Sequence, residues 1–311
     1  MSPTESEFAA LADRHRRELH LHCYRMVGSF EEAEDLVQET LLRAWRRRET
    51  LERDEWLRAW LYRIATNACL DHIKAKGRRV AALESFRDLP WLQPYPDRLL
   101  AEVEEPYGAV VARETIELAF VAVIQVLPPR QRAVLILRDV LEWPAEQAAE
   151  LLEVSVPAVN SALQRARATL RRRLPAGRRE EWTAPDISDS ERALLDGFID
   201  AHERGDTALA LKLITDDVRV TMPPSPFLFE GRHAIAELLE QAYGPRRPGD
   251  WRLLATRANR QPAAASYLRA IGDETYRAFK LDVIRARGDR IAEITTFDAS
   301  LFETFGLPPA L

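Results

Sequence analysis

Residues 156–174 carry hydrogen-bonding and cationic side chains in an order that suits contact with nucleic acid. The apolar positions, spaced four, three and four residues apart, are Val159, Leu163, Ala166 and Leu170. This spacing predicts an amphipathic helix. The residues on its other side are Pro157, Ala158, Asn160, Ser161, Gln164, Arg165 and Arg167. Short polar groups can read base edges in the major groove and arginines can bind phosphates, so these residues indicate a helix that reads duplex DNA.

A shorter helix and a tight turn precede this segment. Residues 144–152 (PAEQAAELL) begin with a proline, which is typical of the first turn of a helix. Residues 153–155 are the predicted turn, and Ser155 is the predicted N-cap of the next helix. Two helices joined in this way form a helix-turn-helix, whose second helix enters the major groove. An ordinary solvated amphipathic helix is the alternative, and the short preceding helix argues against it.

A second segment, residues 56–79, places aromatic side chains beside cationic ones. Its aromatic residues are Trp56, Trp60 and Tyr62, and its cationic residues are Arg63, Lys74, Lys76, Arg78 and Arg79. Unpaired bases stack on aromatic faces while cations bind the phosphates of a single strand. The segment therefore indicates binding of melted DNA. For Trp60 and Tyr62 individually, packing in a core is the favoured alternative.

The segment 31–39 is acidic. Its charged residues are Glu31, Glu32, Glu34, Asp35 and Glu39. Ser29 is the predicted N-cap of a helix over 31–47, with Glu32 completing a capping box. An acidic face on an amphipathic helix suits a basic partner, and a solvated helix face is the alternative.

Length and composition restrict the number of domains and the class of protein in which these segments occur. The 311 residues are enough for two or three domains, and an apolar fraction of 46% supports packed cores. The net charge of −5 hides separate acidic and basic blocks, so it does not exclude nucleic acid. No secretory signal or apolar run of about 18 residues occurs, which predicts a cytoplasmic protein without a membrane partner. Cys23 and Cys69 fit neither a disulfide framework nor a zinc cluster, which favours buried thiols in a reducing compartment.

The pattern of prolines and periodicities predicts the domain organisation. The expected parts are a helical domain at 5–80, an acidic proline-containing linker at 81–112, a second helical domain at 113–176 and an α+β domain at 188–309. Alternation of apolar and polar residues at 218–222, 277–286 and 290–297 predicts strands in the last domain.

Two long motifs resemble the extracytoplasmic-function (ECF) branch of the sigma-70 factors. Residues 127–174 (LPPRQRAVLILRDVLEWPAEQAAELLEVSVPAVNSALQRARATLRRRL) resemble region 4 of that family. Residues 33–45 (AEDLVQETLLRAW) and 56–79 (WLRAWLYRIATNACLDHIKAKGRR) resemble region 2. The resemblance covers 8–174 and implies two all-α sigma modules. It also implies a polymerase subunit that is not an enzyme and needs no cofactor or metal.

The resemblance assigns roles to the residues named above. Region 4 reads the −35 promoter element, here through Ser155 and the polar side of 156–174. Region 2 opens and holds the −10 element, here through the aromatic and cationic residues of 56–79 together with Asn67, while the loop 50–55 captures a flipped base. The clamp helices of the largest polymerase subunit bind the acidic helix, here through Glu34, Asp35, Gln38 and Glu39. Core polymerase is further contacted at its flap, and the linker threads toward the active-site and RNA-exit channels.

Residues 194–239 and 290–308 resemble the SnoaL-like fold, an α+β cone of a curved sheet and helices with a pocket. The residues expected to point into the cone are Met222, Phe229, Trp251, Gln261, Tyr267 and Phe297, with Asp298 near the mouth. Simple filling of the cone by these side chains is the alternative. His202, His233 and Asp298 form no evident acid–base set in the sequence, so catalytic turnover is not expected.

Two other functions remain open at this point. A ligand-sensing helix-turn-helix regulator would need neither the acidic helix nor the aromatic and cationic segment. An enzyme of the SnoaL type fused to a DNA-binding module would need a connected acid–base pair in an accessible pocket. Besides core polymerase and promoter DNA, an anti-sigma factor or a small ligand is a further candidate partner, and the last domain is expected to regulate activity.

Overall fold

The computed structural model describes residues 5–51, 56–77, 88–100, 116–173 and 188–311. The chain divides into two compact units, Met1–Leu83 with Leu99–Thr183 and Glu84–Arg98 with Ala184–Leu311. The first unit is all-α and the second combines helices with one sheet, which confirms the predicted fold class. Arg78, Arg79 and residues 52–55 of the predicted base-capturing loop lie outside the described residues.

The first unit begins with four helices that correspond to the predicted region 2. They are α1 (Glu5–Asp13), α2 (Arg16–Val27), α3 (Phe30–Arg46) and α4 (Leu57–Ala75), with a short 3-10 turn at Arg48–Thr50. The side chain of Ser29 accepts a hydrogen bond from the Glu32 N–H at 3.4 Å, so Ser29 is the N-cap of α3 as predicted. The helices α2, α3 and α4 pack on one another, and the free thiols of Cys23 and Cys69 are buried.

The rest of the first unit holds the predicted helix-turn-helix. Its helices are α5 (Leu118–Ile124), α6 (Pro129–Leu135), α7 (Ala145–Leu152) and α8 (Val156–Arg173), and α6 continues into a π-helical turn at Ile136–Val140. The helix α7 ends at Glu153, whose φ of 54° reverses the chain direction. Since α7 and α8 pack together through a turn of three residues, the predicted helix-turn-helix is present.

A buried arginine joins the two parts of the first unit. Arg132 is 4% exposed, and its guanidinium donates hydrogen bonds to the backbone carbonyls of Met26, Gln125 and Leu127. It also donates to the side-chain oxygen of Gln125 at 2.5 Å. A buried cation is tolerated only when oxygen acceptors replace its water. These bonds therefore fix the start of α6 against the end of α2.

The second unit is a six-stranded sheet with helices. In chain order its elements are α9 (Asp189–Arg204), α10 (Thr207–Leu213), β1 (Ile214–Thr221), β2 (Leu228–Glu230), α11 (Gly231–Tyr243), β3 (Gly249–Ala258), β4 (Gln261–Ala270), β5 (Arg277–Arg287), β6 (Arg290–Asp298), a 3-10 turn (Ala299–Leu301) and α12 (Phe302–Phe305). The strand order is β2-β1-β6-β5-β4-β3, with β1 and β6 parallel and every other pair antiparallel. The predicted strands at 277–286 and 290–297 lie within β5 and β6, and most of the predicted strand at 218–222 lies in β1.

Helices cover the sheet and close an apolar core. The helix α9 packs on β3 and β4, and α11 packs on β1 and β2. The buried residues at the centre include Leu194, Phe198, Val218, Ile235, Leu253, Ile284 and Ile291. Because these come from helices and from strands of both sheet halves, the sheet and the helices enclose the space between them.

Part of the predicted linker belongs to the second unit. The backbone N–H of Tyr95 donates to Asn259 Oδ1 at 2.7 Å, and the Asn259 N–H donates to the Tyr95 carbonyl at 2.8 Å. Asp97 accepts from the Arg260 N–H at 2.8 Å and pairs with Arg257 at 3.1 Å. These bonds tie residues 95–97 to the turn between β3 and β4. The expected path of the linker through polymerase stays a prediction.

Candidate functional site

The exposed side of α8 is the candidate DNA-reading surface. Val159, Leu163 and Ala166 are buried, so the helix packs through the predicted stripe. Ser155 accepts a hydrogen bond from the Ala158 N–H at 3.4 Å, which places it at the start of the helix. The other predicted −35 residues, exposed except for the partly buried Ser161, are Pro157, Ala158, Asn160, Ser161, Gln164, Arg165 and Arg167. The packing thus leaves the polar side of α8 open.

The two arginines on that side differ in their contacts. Arg165 donates to Ser161 Oγ at 2.6 Å, one turn earlier in the same helix. Arg167 makes two hydrogen bonds to Asp139, at 2.8 and 2.6 Å, and this pairing raises the pKa of its guanidinium. Arg167 therefore already has a carboxylate partner in the π-helical turn, and a phosphate would have to replace it.

The predicted melting segment lies on α4 and is divided between surface and core. Trp56 is 49% exposed, Trp60 is partly buried, and the exposed polar residues are Arg63, Asn67, Lys74 and Lys76. Spacings of three, four and seven residues place Trp60, Arg63, Asn67 and Lys74 along one side of the helix. These residues form a continuous surface that combines an aromatic face with cations.

Tyr62 lies on the opposite side and is buried to 1% exposure. Its hydroxyl donates to Glu18 Oε2 at 3.2 Å, and its ring centroid lies 5.0 Å from that of His22 and 5.1 Å from that of Trp143. A ring enclosed in this way cannot stack on a DNA base. The prediction of Tyr62 as a −10 contact is wrong, because its spacing from Trp60 turns it into the helix bundle.

The side of α4 near α7 also contacts the helix-turn-helix. Arg63 forms an ion pair with Glu153, the residue that ends α7. The Arg58 guanidinium lies 5.1 Å from the ring centroid of Tyr62 and 5.7 Å from that of Trp143. In this arrangement Glu153 of the helix-turn-helix pairs with Arg63, one of the cations predicted to bind melted DNA.

The acidic helix α3 exposes part of its predicted polymerase-binding set. Asp35 and Gln38 are exposed. Glu34 pairs with Arg16 at 3.1 Å, and Glu39 pairs with Arg43 at 2.7 Å. The face therefore presents carboxylates whose charge is partly offset by neighbouring arginines of the same unit.

A cavity of about 570 Å³ lies in the second unit. Of the seven residues predicted to line it, Met222, Trp251, Phe297 and Asp298 do so. Most of the other lining side chains are apolar, among them Phe198, Ile235, Leu238, Leu239 and Phe279. Cavities of this size and character are typical of small-molecule sites.

Three predicted pocket residues do not line the cavity. Tyr267 is buried elsewhere: its hydroxyl donates to the Pro308 carbonyl at 3.0 Å, and its ring centroid lies 5.2 Å from that of Phe302 in α12. Gln261 is buried at the start of β4, and Phe229 packs against the apolar core. Strand alternation alone does not tell which face of the sheet the cavity occupies, so the prediction included residues of the wrong face.

Polar side chains that the sequence analysis did not connect also line the cavity. They are His202, Tyr243, Lys280, Asp282 and Thr296. Asp282 is fully buried, with Oδ2 2.8 Å from Lys280 Nζ and Oδ1 accepting from the Thr296 hydroxyl at 2.7 Å. Lys280 and Asp282, two opposite charges at alternate positions among the apolar residues at the centre of β5, were the available signal. Of the residues considered earlier, Asp298 caps the 3-10 turn and His233 is 94% exposed.

His202 completes this polar group and is held in a neutral form. Its Nδ1 lies 2.8 Å from the Phe198 carbonyl, which can only accept, so Nδ1 carries the proton. Burial and the charge of Lys280 lower the pKa of His202 to about 4. The remaining nitrogen of this lining residue, Nε2, is then an acceptor. Burial likewise raises the pKa of the neighbouring Tyr243 phenol far above its usual range.

Within the described part of the chain, no group of three or more histidine, cysteine, aspartate or glutamate side chains is arranged to hold a metal ion. None of the helices in this part combines the length and the apolar character needed to span a lipid bilayer.

Family models match three parts of the chain. They are sigma-70 region 2 at residues 11–79, sigma-70 region 4 at 117–170 and the SnoaL-like domain at 195–294. The ECF RNA polymerase sigma factor SigG of Mycobacterium tuberculosis H37Rv is 42% identical over 98% of this chain and 85% of its own length. SigW of Bacillus subtilis is 29% identical over 55% of this chain and 90% of its own length.

The fold of the chain is also similar to that of a known crystal structure. The crystal structure of the extracytoplasmic-function sigma factor SigJ of Mycobacterium tuberculosis superposes with a TM-score of 0.64 at 24% identity, covering 98% of this chain and all of that one. At this identity the likeness concerns the fold alone. With the near full-length match to SigG, the two sigma regions and the SnoaL-like domain show that the chain belongs to the extracytoplasmic-function family of RNA polymerase sigma factors.

Proposed function

We propose that this chain directs core RNA polymerase to promoters by reading the −35 element with α8 and holding the melted −10 element with α4. The observation that carries the proposal is the open polar side of α8, which follows a tight turn and ends in arginines. Polymerase supplies the rest of the affinity, so each DNA contact can be modest.

The first turns of α8 suit direct readout of bases. Asn160 and Gln164 are exposed, one helical turn apart, and carry amides that can form paired hydrogen bonds to adenine. Arg165 is exposed beside them and suits guanine or phosphate. Arg167 is a secondary contact, because its bond to Asp139 competes with DNA.

The exposed side of α4 suits single-stranded DNA. Trp56 and Trp60 provide faces on which bases can stack, and Arg63, Asn67 and Lys74 follow along the same side. The ion pair of Arg63 with Glu153 implies that α4 and α7 must separate before the strand binds. Arg78 and Arg79 are proposed to extend this surface.

The acidic helix α3 is the proposed contact with the clamp helices of the polymerase, through Glu34, Asp35, Gln38 and Glu39. Its carboxylates complement a basic partner, and charge complementarity mainly sets specificity and association rate. The flap of core polymerase and an anti-sigma factor are further proposed partners, in the cytoplasm where polymerase acts.

The SnoaL-like domain is proposed to regulate transcription rather than to catalyse a reaction. The domain is fused to the sigma regions. Residues 95–97, which lie between sigma regions 2 and 4 in the sequence, are hydrogen-bonded to its β3–β4 turn. A change in this domain can therefore alter the length of connecting chain available to the sigma regions. Within the cavity, Lys280 and the Thr296 hydroxyl already engage the two carboxylate oxygens of Asp282, so neither oxygen is positioned to take a proton from a ligand.

Run-off transcription with purified core polymerase tests the proposal. We expect specific transcripts only when this chain is added. The variant Gln164→Ala/Arg165→Ala should lose transcription from a −35-dependent promoter while retaining binding to core polymerase. Loss of core binding as well would contradict the assignment of α8. A chain ending near residue 186 should show altered promoter-specific activity, and unchanged activity would reject regulation by the last domain.

A free-standing helix-turn-helix regulator is the competing function. It would bind a promoter fragment with high affinity in the absence of polymerase. The α8 variant would then lose binding equally with and without core polymerase. Dependence of promoter binding on core polymerase therefore distinguishes a sigma factor from a free-standing regulator.

A further inference from the structure

The cavity of the second unit has an apolar wall, one buried polar group and the exposed polar residues Gln241 and Asp298. Phe198, Ile235, Leu238 and Trp251 belong to the wall. The polar group joins four elements, with His202 from α9, Tyr243 from α11, Lys280 and Asp282 from β5 and Thr296 from β6. An apolar cavity with a few convergent polar side chains is the arrangement of a small-molecule site.

The charges of the polar group cancel, and the remaining charge on the cavity lining is the exposed carboxylate of Asp298. Lys280 Nζ lies 2.8 Å from Asp282 Oδ2, and Asp282 is fully buried. His202 is neutral, because burial and the charge of Lys280 lower its pKa to about 4. A charged ligand placed against this group would lose its hydration without meeting an uncompensated opposite charge, and the Asp298 carboxylate adds repulsion for an anion. The buried part of the site therefore favours an uncharged molecule.

Two polar atoms at the cavity have no hydrogen-bond partner within the described part of the chain. They are His202 Nε2 and the Tyr243 hydroxyl, whose rings meet edge to face with centroids 5.5 Å apart. The Nε2 atom can only accept, because Nδ1 carries the proton, while the phenol can donate. A ligand hydroxyl can satisfy both, since it donates one hydrogen bond and accepts another.

We propose that this cavity binds a small, uncharged and largely apolar molecule that carries a hydroxyl group, which donates to His202 Nε2 and accepts from Tyr243. The apolar body of the ligand lies against Phe198, Leu238 and Trp251. Trp251 is held in place by a hydrogen bond from its ring nitrogen to the Ala242 carbonyl at 3.3 Å. The assignment concerns the second unit and is independent of promoter recognition.

Calorimetric titration of the full chain with three probes of similar shape tests the ligand class. 2-Naphthol is neutral and carries the hydroxyl, 2-methoxynaphthalene lacks the donor, and 2-naphthoate is an anion. We expect 2-naphthol to bind once per chain and about tenfold more tightly than 2-methoxynaphthalene, since one hydrogen bond is lost. The carboxylate should bind least. Equal affinities for the first two probes, or preference for the anion, would overturn the proposal.

A pair of histidine variants localises the effect. His202→Phe keeps an aromatic ring but removes the acceptor, so 2-naphthol should weaken about tenfold while 2-methoxynaphthalene keeps its affinity. His233→Phe, on the exposed side of α11, is the matched control and should change neither. Equal effects of the two variants would contradict the assignment.

A space-filling variant shows that the probes enter the cavity. Leu238→Trp should abolish binding of both neutral probes while the melting temperature shows that the domain is folded. If Leu238→Trp is unfolded, the histidine pair still decides the proposal. Unchanged binding in a folded Leu238→Trp chain would place the probes elsewhere and overturn it. These titrations need no polymerase, so their outcome stands apart from that of the transcription assay.

Discussion

The helices α4 and α8 both carry residues suited to DNA, yet the protein buries them to very different degrees. The helix α8 packs through one stripe formed by Val159, Leu163 and Ala166. The helix α4 contacts α2, α3, α6 and α7, so most of its circumference faces other helices. The comparison shows that residue type suffices to identify a DNA-reading face only when a helix has a single buried stripe. On α4 the same residue types serve both surface and core.

The largest expected effect is on the free energy of unfolding, and it distinguishes the core residue Tyr62 of α4 from Trp56 at its exposed N-terminus. Tyr62→Ala should lower the free energy of unfolding by about 3–5 kcal/mol, because it removes a fully buried ring from between His22 and Trp143. Trp56→Ala, at an exposed position, should cost less than about 1 kcal/mol. Urea denaturation measures both. A larger loss for Trp56→Ala would reverse the assignment of the two aromatic residues.

Acid should destabilise the packing beneath α4. His22 lies against Tyr62, with Nε2 2.9 Å from Thr66 Oγ1, and burial lowers its pKa to about 3. An unfolded histidine titrates near 6.5. Since the folded pKa is the lower one, this contribution to stability is complete above about pH 6.5 and is lost as the pH falls toward 3. The loss reaches about 4–5 kcal/mol near pH 3, at about 1.4 kcal/mol for each unit of difference between the two pKa values.

The variant His22→Gln is the control for this pH dependence. Glutamine keeps a polar partner for Thr66 and does not titrate, so stability should fall less steeply between pH 6.5 and 4. His20, whose pKa burial lowers to about 4, remains in the same unit and preserves part of the slope. Identical slopes for the two proteins would exclude His22 as a source.

On α8, polar substitutions should affect DNA binding and leave stability unchanged. Gln164→Ala should weaken binding of polymerase holoenzyme to its −35 sequence by about 1–3 kcal/mol and shift unfolding by less than about 0.5 kcal/mol. Arg171→Ala, exposed further along the helix, is the matched comparison. It should weaken all sequences alike and reduce the salt dependence. Sequence-independent loss for Gln164→Ala would exclude it from base readout.

The smallest effect concerns the ion pair at the edge of the α8 surface. Arg167 and Asp139 are both partly exposed, so Asp139→Asn should cost less than about 1 kcal/mol of stability. The substitution also releases Arg167 for a phosphate, which should raise the slope of log affinity against log salt by about 1. In Asp139→Asn/Arg167→Ala this extra salt dependence should vanish. Its persistence would mean that another group makes the contact.

Several features were predictable from the sequence because they depend on neighbours within a few residues. The stripe on α8, the N-caps at Ser29 and Ser155, and the alternation in β5 and β6 are local patterns, and the structure contains each of them. The long motifs of the sigma regions also fixed the family, since their residues lie in continuous segments.

The tertiary structure decided which residues that are distant in the sequence lie together, and which side chains are buried. The aromatic segment 56–62 contains both a surface tryptophan and a core tyrosine, and only the packing of α2 and α7 against α4 separates them. The polar group at the cavity brings residue 202 together with residues 243, 282 and 296 through the packing of α9 and α11 on the sheet. The sequence determined that α8 can read DNA. Which side of α4 remains open, and which side chains share the cavity, depends on long-range burial that periodicity does not encode.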